Sequence, residues 1–233
     1  PPSAEHYLGT DHLGRDIYSR MLFGARISLV IGFLTMLISV VIGAAYGAIA
    51  GYYGGLLDSI LMRLVDILLS LPTMFLLIIL AAFIKPKALT IALIIGLTSW
   101  MRVARLVRGE FLSLKEREFV EAARALGYSD SRIIFFHILP NVMAPVIVNA
   151  TLLVASAILV ESVLSFLGLG VQSPQFSWGS MLTNAQDLIL LKEAPWVAFF
   201  PGLAIFITVL CFNFIGDGLR DALDPKLKNI KEN

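Results

Sequence analysis

The sequence predicts an all-α, polytopic membrane helix bundle, and three observations predict it. Hydrophobic residues fill 58% of the 233 positions and charged residues only 15%, against roughly 45–50% and ~25% in soluble domains. Mean hydropathy is +0.83, which leaves too few polar residues to cover a water-facing exterior, so the outer surface must meet lipid. The apolar residues also fall into long uncharged runs, each long enough to form a helix that satisfies its own backbone hydrogen bonds inside a bilayer. A net charge of +1 gathers no nucleic acid, and a single cysteine excludes an intrachain disulfide framework. No signal-peptide pattern opens the chain at Pro1.

Span A is the 31-residue uncharged run from Ile27 to Leu57, where ~20 apolar residues suffice to cross. Within it Gly43, Gly47 and Gly51 recur every four residues and clear one helix face for close approach of another backbone. Tyr52 and Tyr53 read as an interfacial aromatic belt, and Gly54 and Gly55 as a turn. Span B covers 67–84, with Pro72 kinking or starting its buried part. Arg63 and Asp66, three apart on one face before it, are expected to form a local ion pair. Lys85, Pro86 and Lys87 form a turn. Span C, 88–101, has only fourteen uncharged residues. It still reads as spanning, because Arg102, Arg105 and Arg108 can snorkel to water while Trp100 anchors at the interface. Spans D (138–160) and E (194–216) contain 23 uncharged residues each, D interrupted by Pro140 and Pro145 and E entered by Pro195 and Trp196. Between them lies a Gly, Pro and Gln-rich stretch, 168–193, whose 182–191 portion predicts a short surface helix.

Five spans put the ends of the chain on opposite sides. If the 102–137 loop is cytoplasmic, that side carries 12 basic residues and the other six, which orients the C-terminus and the inner tail 217–233 to the cytoplasm. Segment 1–26 is then extracytoplasmic or interfacial, 161–193 is the outer loop, and a further span is expected upstream of Pro1.

The chemistry of soluble enzymes is missing from the pattern: no phosphate loop, no H-E-x-x-H and no G-x-S-x-G occurs. His6, His12, Asp11 and Asp16 have no metal-ligand spacing and read as a solvated loop. Cys211, away from basic neighbours, reads as a buried, inert thiol. No catalytic residue, cofactor or metal site is predicted. Glu161 ends span D, and a carboxylate at membrane depth is either part of a pathway or a hydrated or hydrogen-bonded structural residue at the outer face.

The inner loop 102–137 is too charged and regular for a connector. Glu121, Ala122, Ala123, Arg124, Ala125 and Leu126 favour helix, and Gly127 suits the position just past its end. Ser129 caps a second helix with Ile133, Ile134, Phe135 and Phe136, before Leu139 and Pro140 enter the membrane. The product is a helix, Gly turn, helix knob whose aromatic face needs burial in a partner or on the bilayer surface.

Glu121-Ala122-Ala123, then Gly127, then Ile138-Leu139-Pro140 resembles the EAA motif of permease subunits in binding-protein-dependent ABC importers. The chain has His137 where the general motif has Ile, and His followed by Ile-Leu-Pro-Asn is similar to the peptide and nickel branch. Leu8-Gly9-Thr10-Asp11-His12-Leu13-Gly14-Arg15-Asp16 resembles that branch too, as do Glu161-Ser162 with Leu164 to Gln172 and the tail from Gly216 to Pro225. The resemblance covers nearly the whole chain. It implies a type I ABC importer permease fold in the cytoplasmic membrane, here with five spans and a first one lacking. Its implied partners are a second, different permease subunit, two ATPase subunits that dock on 121–127, and an extracytoplasmic binding protein that delivers di- or oligopeptide. The chain itself would hydrolyse nothing. Nickel or a nickel chelate is the alternative cargo. A self-contained channel or carrier is disfavoured because spans A, D and E hold no interior charge, and an intramembrane hydrolase because the spans pair no nucleophile with a base.

Overall fold

The computed structural model describes residues 1–84, 87–172 and 174–223. In chain order they form α1 (Ile17–Tyr53), α2 (Gly55–Ser70), α3 (Thr73–Phe83), α4 (Ala88–Leu114), α5 (Glu118–Ala125) and α6 (Asp130–Arg132). A π-helical stretch (Ile133–Ile138) leads into α7 (Leu139–Phe166), followed by α8 (Trp178–Leu182), a 3-10 turn (Thr183–Gln186), α9 (Leu188–Glu193) and α10 (Trp196–Leu223). Among the described residues α1, α4, the run Asp130–Phe166 and α10 are each long and apolar enough to cross a membrane. The predicted span B is instead a broken pair: α2 and α3 pass the same test together but are bent by 80°. The break falls at Leu71 and Pro72, because proline lacks the N–H that would continue α2 and holds its predecessor extended. Lys85 and Pro86 of the predicted turn, and the tail from 224 onward with Lys226, Lys228 and Lys231, lie outside the described residues.

The bundle is organised on α1 and α4, which run parallel and in register. A Cβ added at Gly43 would lie 2.5 Å from Val103 Cβ, and one at Gly51 2.5 Å from Phe111 Cβ. At Gly47 it would collide with the Ala104 carbonyl oxygen. Glycine at every fourth position therefore lets α4 backbone lie directly on α1. Two buried hydroxyls continue the seam at the same spacing: Thr35 donates to the Ala92 carbonyl (3.3 Å) and Ser39 to the Gly96 carbonyl (3.1 Å). α7 crosses the other side of α1, with Val154 and Ile158 packed over Gly32, and α10 lies on α7, with Gly216 against Thr151 and Leu152.

Two sequence expectations fail here because an uncharged run does not say which helix face meets lipid. Cys211 is exposed on α10 and not buried, since α10 buries only a narrow face at Val197, Pro201, Ile205 and Gly216. Trp100 is buried rather than anchored at the interface, its ring 4.8 Å from that of Tyr46 across the α1–α4 contact. Phe199, Phe206 and Phe214, all exposed on α10, form the kind of apolar surface that lipid covers.

Gly47→Leu is expected to lower stability by about 2 kcal/mol or more, since overpacking a backbone contact forces the two helices apart. Thermal unfolding of the detergent-solubilised protein checks this; an unchanged midpoint would contradict the α1–α4 contact.

Candidate functional site

The segment between α4 and α7 forms a knob at one end of the bundle. α5 ends in a Schellman motif: Gly127 takes φ +78°, its N–H bonds the Arg124 carbonyl (2.9 Å), and Tyr128 N–H bonds the Ala123 carbonyl (3.2 Å). Of the motif residues, Ala123 is buried, Leu139 is half-buried, and Glu121, Ala122, Arg124, Gly127 and Pro140 are exposed. The second helix differs from expectation in three ways. Ser129 sits at the cap position but makes no side-chain capping bond. The helix is also not separate, running from Asp130 through the π stretch into α7. Finally, Ile133, Ile134 and Ile138 are buried within the chain against Val103, Val107, Phe111 and Val120, so the knob does find cover of its own. Phe135 (60% exposed) and Phe136 (76%) of the same helical run are left outward.

Tyr52 locks this knob to α1. It is buried rather than part of an interfacial belt, its hydroxyl donates to Asp130 Oδ1 (2.7 Å), and the Arg124 guanidinium lies 5.5 Å from its ring centre. Of the three α4 arginines expected to snorkel, Arg105 and Arg108 are anchored to carboxylates, while Arg102 is exposed with no carboxylate partner among the described residues. Arg108 forks onto both Asp58 oxygens (2.5 and 2.6 Å) and Arg105 reaches Asp66 (2.5 Å), so Asp66 pairs with α4 and not with Arg63. Sequence reading missed this ladder because its partners lie 39 and 50 residues apart. The available signal was Asp58 and Asp66, two turns apart on one face of α2.

At the opposite end Glu161 lies inside α7, which runs on to Phe166, and is fully buried rather than hydrated. Its Oε1 accepts from Ser165 (2.6 Å) and Ser177 (2.5 Å), and Oε2 has no partner. Ser177 starts α8, which dips into the bundle: Trp178 N–H bonds Ser28 Oγ (3.1 Å) and its indole N–H the Met21 carbonyl (3.0 Å). The 161–193 region is thus a folded plug, further tied by Thr183 to the Ser165 carbonyl and by Gln186 to the Phe166 carbonyl. The predicted helix at 182–191 resolves into the 3-10 turn and α9.

The segment before α1 is likewise folded, where a solvated loop was expected. Asp11 is buried, accepts from the backbone of Leu13 and Arg15, and pairs with the side chains of Arg15 (2.7 Å) and Arg20 (3.2 Å). Burial works against its charge, but the hydrogen bonds from Arg15 and Leu13 outweigh it and hold the carboxyl below the usual range. Asp16 caps α1 and accepts from His6. The indole of Trp196 bonds the Thr10 carbonyl, tying this segment to α10 (3.1 Å).

A family model described as binding-protein-dependent transport system inner membrane component matches residues 43–229. The dipeptide transport system permease protein of Bacillus subtilis (strain 168) is 47% identical over 228 residues, 98% of this chain and 71% of that protein. The oligopeptide transport system permease protein of Escherichia coli (strain K12) is 51% identical over 221 residues, 95% of this chain and 72% of that one. A glutathione transport system permease protein of Pectobacterium atrosepticum is 46% identical over 228 residues, covering 98% and 75%. Among solved structures, an inward-facing conformation of the MetNI methionine ABC transporter superposes with a TM-score of 0.70 at 18% identity, covering 88% of this chain and 97% of that one. The fold is that of type I ABC importer permeases.

Glu161→Gln keeps an acceptor for both serines and is expected to unfold within about 1 kcal/mol of the parent, whereas Glu161→Ala strands two buried hydroxyls and leaves a cavity, for a loss of about 2–4 kcal/mol. Thermal unfolding of both variants tests the bonds to Ser165 and Ser177; equal stability of the two would contradict them.

Proposed function

The chain belongs to the family of binding-protein-dependent transport system inner membrane components, and from that premise we propose that it is one of two different permease subunits of a peptide importer in the cytoplasmic membrane. Relatives named for dipeptide, oligopeptide and glutathione transport cover almost all of its length at 46–51% identity. All three cargoes are peptides, which favours peptide over nickel.

The observation that carries the coupling role is the division of apolar residues in the knob. Its isoleucines are committed to the bundle, while Phe135 and Phe136 stay uncovered on the same knob as the exposed Glu121, Ala122, Arg124 and Gly127. Burying one such side chain contributes roughly 1.5–3 kcal/mol, so two phenylalanines and a small-residue surface suit a groove on an ATPase subunit. Docked there, the knob carries ATP-driven closure of the ATPase pair into α7, α4 and α1 as a rigid body, giving alternating access. Hydrolysis belongs to those partners and not to this chain.

The knob end is cytoplasmic by the distribution of basic residues, which puts the 161–193 plug on the outer face. That plug is the surface for an extracytoplasmic binding protein. Glu161 is a structural residue of the outer face, set to hold Ser165 and Ser177 in place.

Reconstitution of the whole importer decides the cargo: peptide, and not nickel, is expected to stimulate ATP hydrolysis through the binding protein. Two variants test the docking surface. Gly127→Leu places a side chain at positive φ, at about 1–2 kcal/mol of strain, in space that is open within this chain, and is expected to lose ATPase co-purification or coupling. The double change Phe135→Ser, Phe136→Ser touches exposed residues, and is expected to leave folding intact and weaken ATPase binding by about tenfold or more. Fully coupled transport by both variants would overturn the assignment.

A further inference from the structure

Resting on that reading, we propose that the face shared by α3, α4 and α7 is this subunit's half of the peptide pathway, and that Arg102 is the residue on it that meets the peptide's C-terminal carboxylate. Ser99, Arg102 and Glu110 recur on one face of α4, and Asn141, Asn149 and Ser156 on one face of α7, at helical spacing. The two polar stripes border two cavities in succession. One, of about 210 Å³, is lined by Thr73, Ser99, Arg102 and Ser156 among others. The second, of about 520 Å³, lies toward the knob end and is lined by Glu110, Asn141, Asn149 and Arg220 among others.

Arg102 lies in the interior of α4 and is exposed on this chain. Its neighbours Arg105 and Arg108 are neutralised by Asp66 and Asp58 of α2, whereas Arg102 has no carboxylate partner among the described residues. An unpaired guanidinium that lines a cavity with Thr73, Ser99 and Ser156 is costly against lipid and is kept where it faces water or an anion. The α2–α3 break opens on the same cavity through Leu69, Thr73 and Met74, and interrupted helices inside a membrane are tolerated where they line such a space. A peptide carboxylate is the anion that a peptide importer brings there, and a guanidinium binds it through two parallel hydrogen bonds.

The test uses the complete importer in proteoliposomes. Arg102→Ala is expected to cut peptide uptake by about tenfold or more, and Arg102→Lys by less, while loaded binding protein still stimulates ATP hydrolysis in both. In a Cys211→Ser background, Ser99→Cys and Ser156→Cys are expected to react with a membrane-impermeant cationic thiol reagent in the ATP-free or the vanadate-trapped state, and Phe206→Cys on α10 in neither. Wild-type uptake by Arg102→Ala, or inert cysteines at both 99 and 156 in both states, would overturn the proposal. An unsubstituted assembly that takes up no peptide would defeat the reading of function instead, and cysteine labelling would still decide whether this face is a water-filled path.

Discussion

The close approach of α1 to α4 is the constraint on which the rest depends. With glycine at 43, 47 and 51 no α1 side chain separates the helices, so Val103, Val107 and Phe111 and the Trp100 and Ala104 carbonyls lie against the α1 backbone, in the same parallel register as Thr35 with Ala92 and Ser39 with Gly96. That register delivers Tyr52 and Phe111 together to one end of the bundle. There Phe111 joins the apolar cluster under the knob, and Tyr52 reaches Asp130. Because α1 occupies one side of α4 and the carboxylates of α2 hold Arg105 and Arg108 on another, the face with Ser99, Arg102 and Glu110 is left over for a different task. In a helix 27 residues long, three sides thus have three chemistries: Val103, Val107 and Phe111 packed on the glycines of α1, ion pairs for anchoring, and an unpartnered polar stripe.

The ion pairs and the apolar contacts do different jobs. Half-exposed pairs such as Arg105–Asp66 contribute about 0–1 kcal/mol each, so α2 is positioned by them more than stabilised. The knob cluster is dry, with Val103, Val107, Phe111, Val120, Ile133 and Ile138 all fully buried, and each such side chain contributes roughly 1.5–3 kcal/mol. Apolar burial also holds the two elements that flank the bend, α2 through Val65 on Trp100, Met101 and Ala104 and α3 through Leu77 in the cluster with Ile91 and Ile95.

Much of this was legible in the sequence where local chemistry dictates the outcome. Glycine at every fourth position specifies a bare helix face, and Gly127 after a run of helix formers specifies a positive-φ cap. Uncharged runs locate the cores of the four long spans, although charged residues near their ends conceal how far the helices continue: α1 begins at Ile17, α4 runs to Leu114 and α7 to Phe166. What could not be read was which side of each helix meets protein. Hydropathy assigns the same value to a leucine in lipid and one in a core, so Cys211, Trp100 and the knob isoleucines were misplaced together. Contacts between distant residues, Glu161 with Ser177 or Asp58 with Arg108, leave no local trace, since each partner alone has an ordinary alternative in water.

The continuity of the run from Asp130 to Phe166 explains how two prolines and a π stretch are accommodated in one element. Pro140 supplies no N–H to the ladder, and Asn141 bonds the His137 carbonyl with its side chain (2.6 Å) in the same turn. The π stretch itself is clamped by Ile133, Ile134 and Ile138 against α4 and α5, so the irregular turn is not a loose joint. Past Pro145 the helix is regular again, packed on α1 at Gly32 and on α10 at Gly216, and it ends by gripping the plug through Glu161. A push on Phe135 or Phe136 thus meets a stiff connection to the buried core, and through α7 to the opposite end. The backbone along the same face is interrupted at the Leu71–Pro72 break, where α2 and α3 part at 80°, although Val65, Met62, Leu68 and Leu69 still pack α2 on Trp100, Met101 and Ala104 of α4.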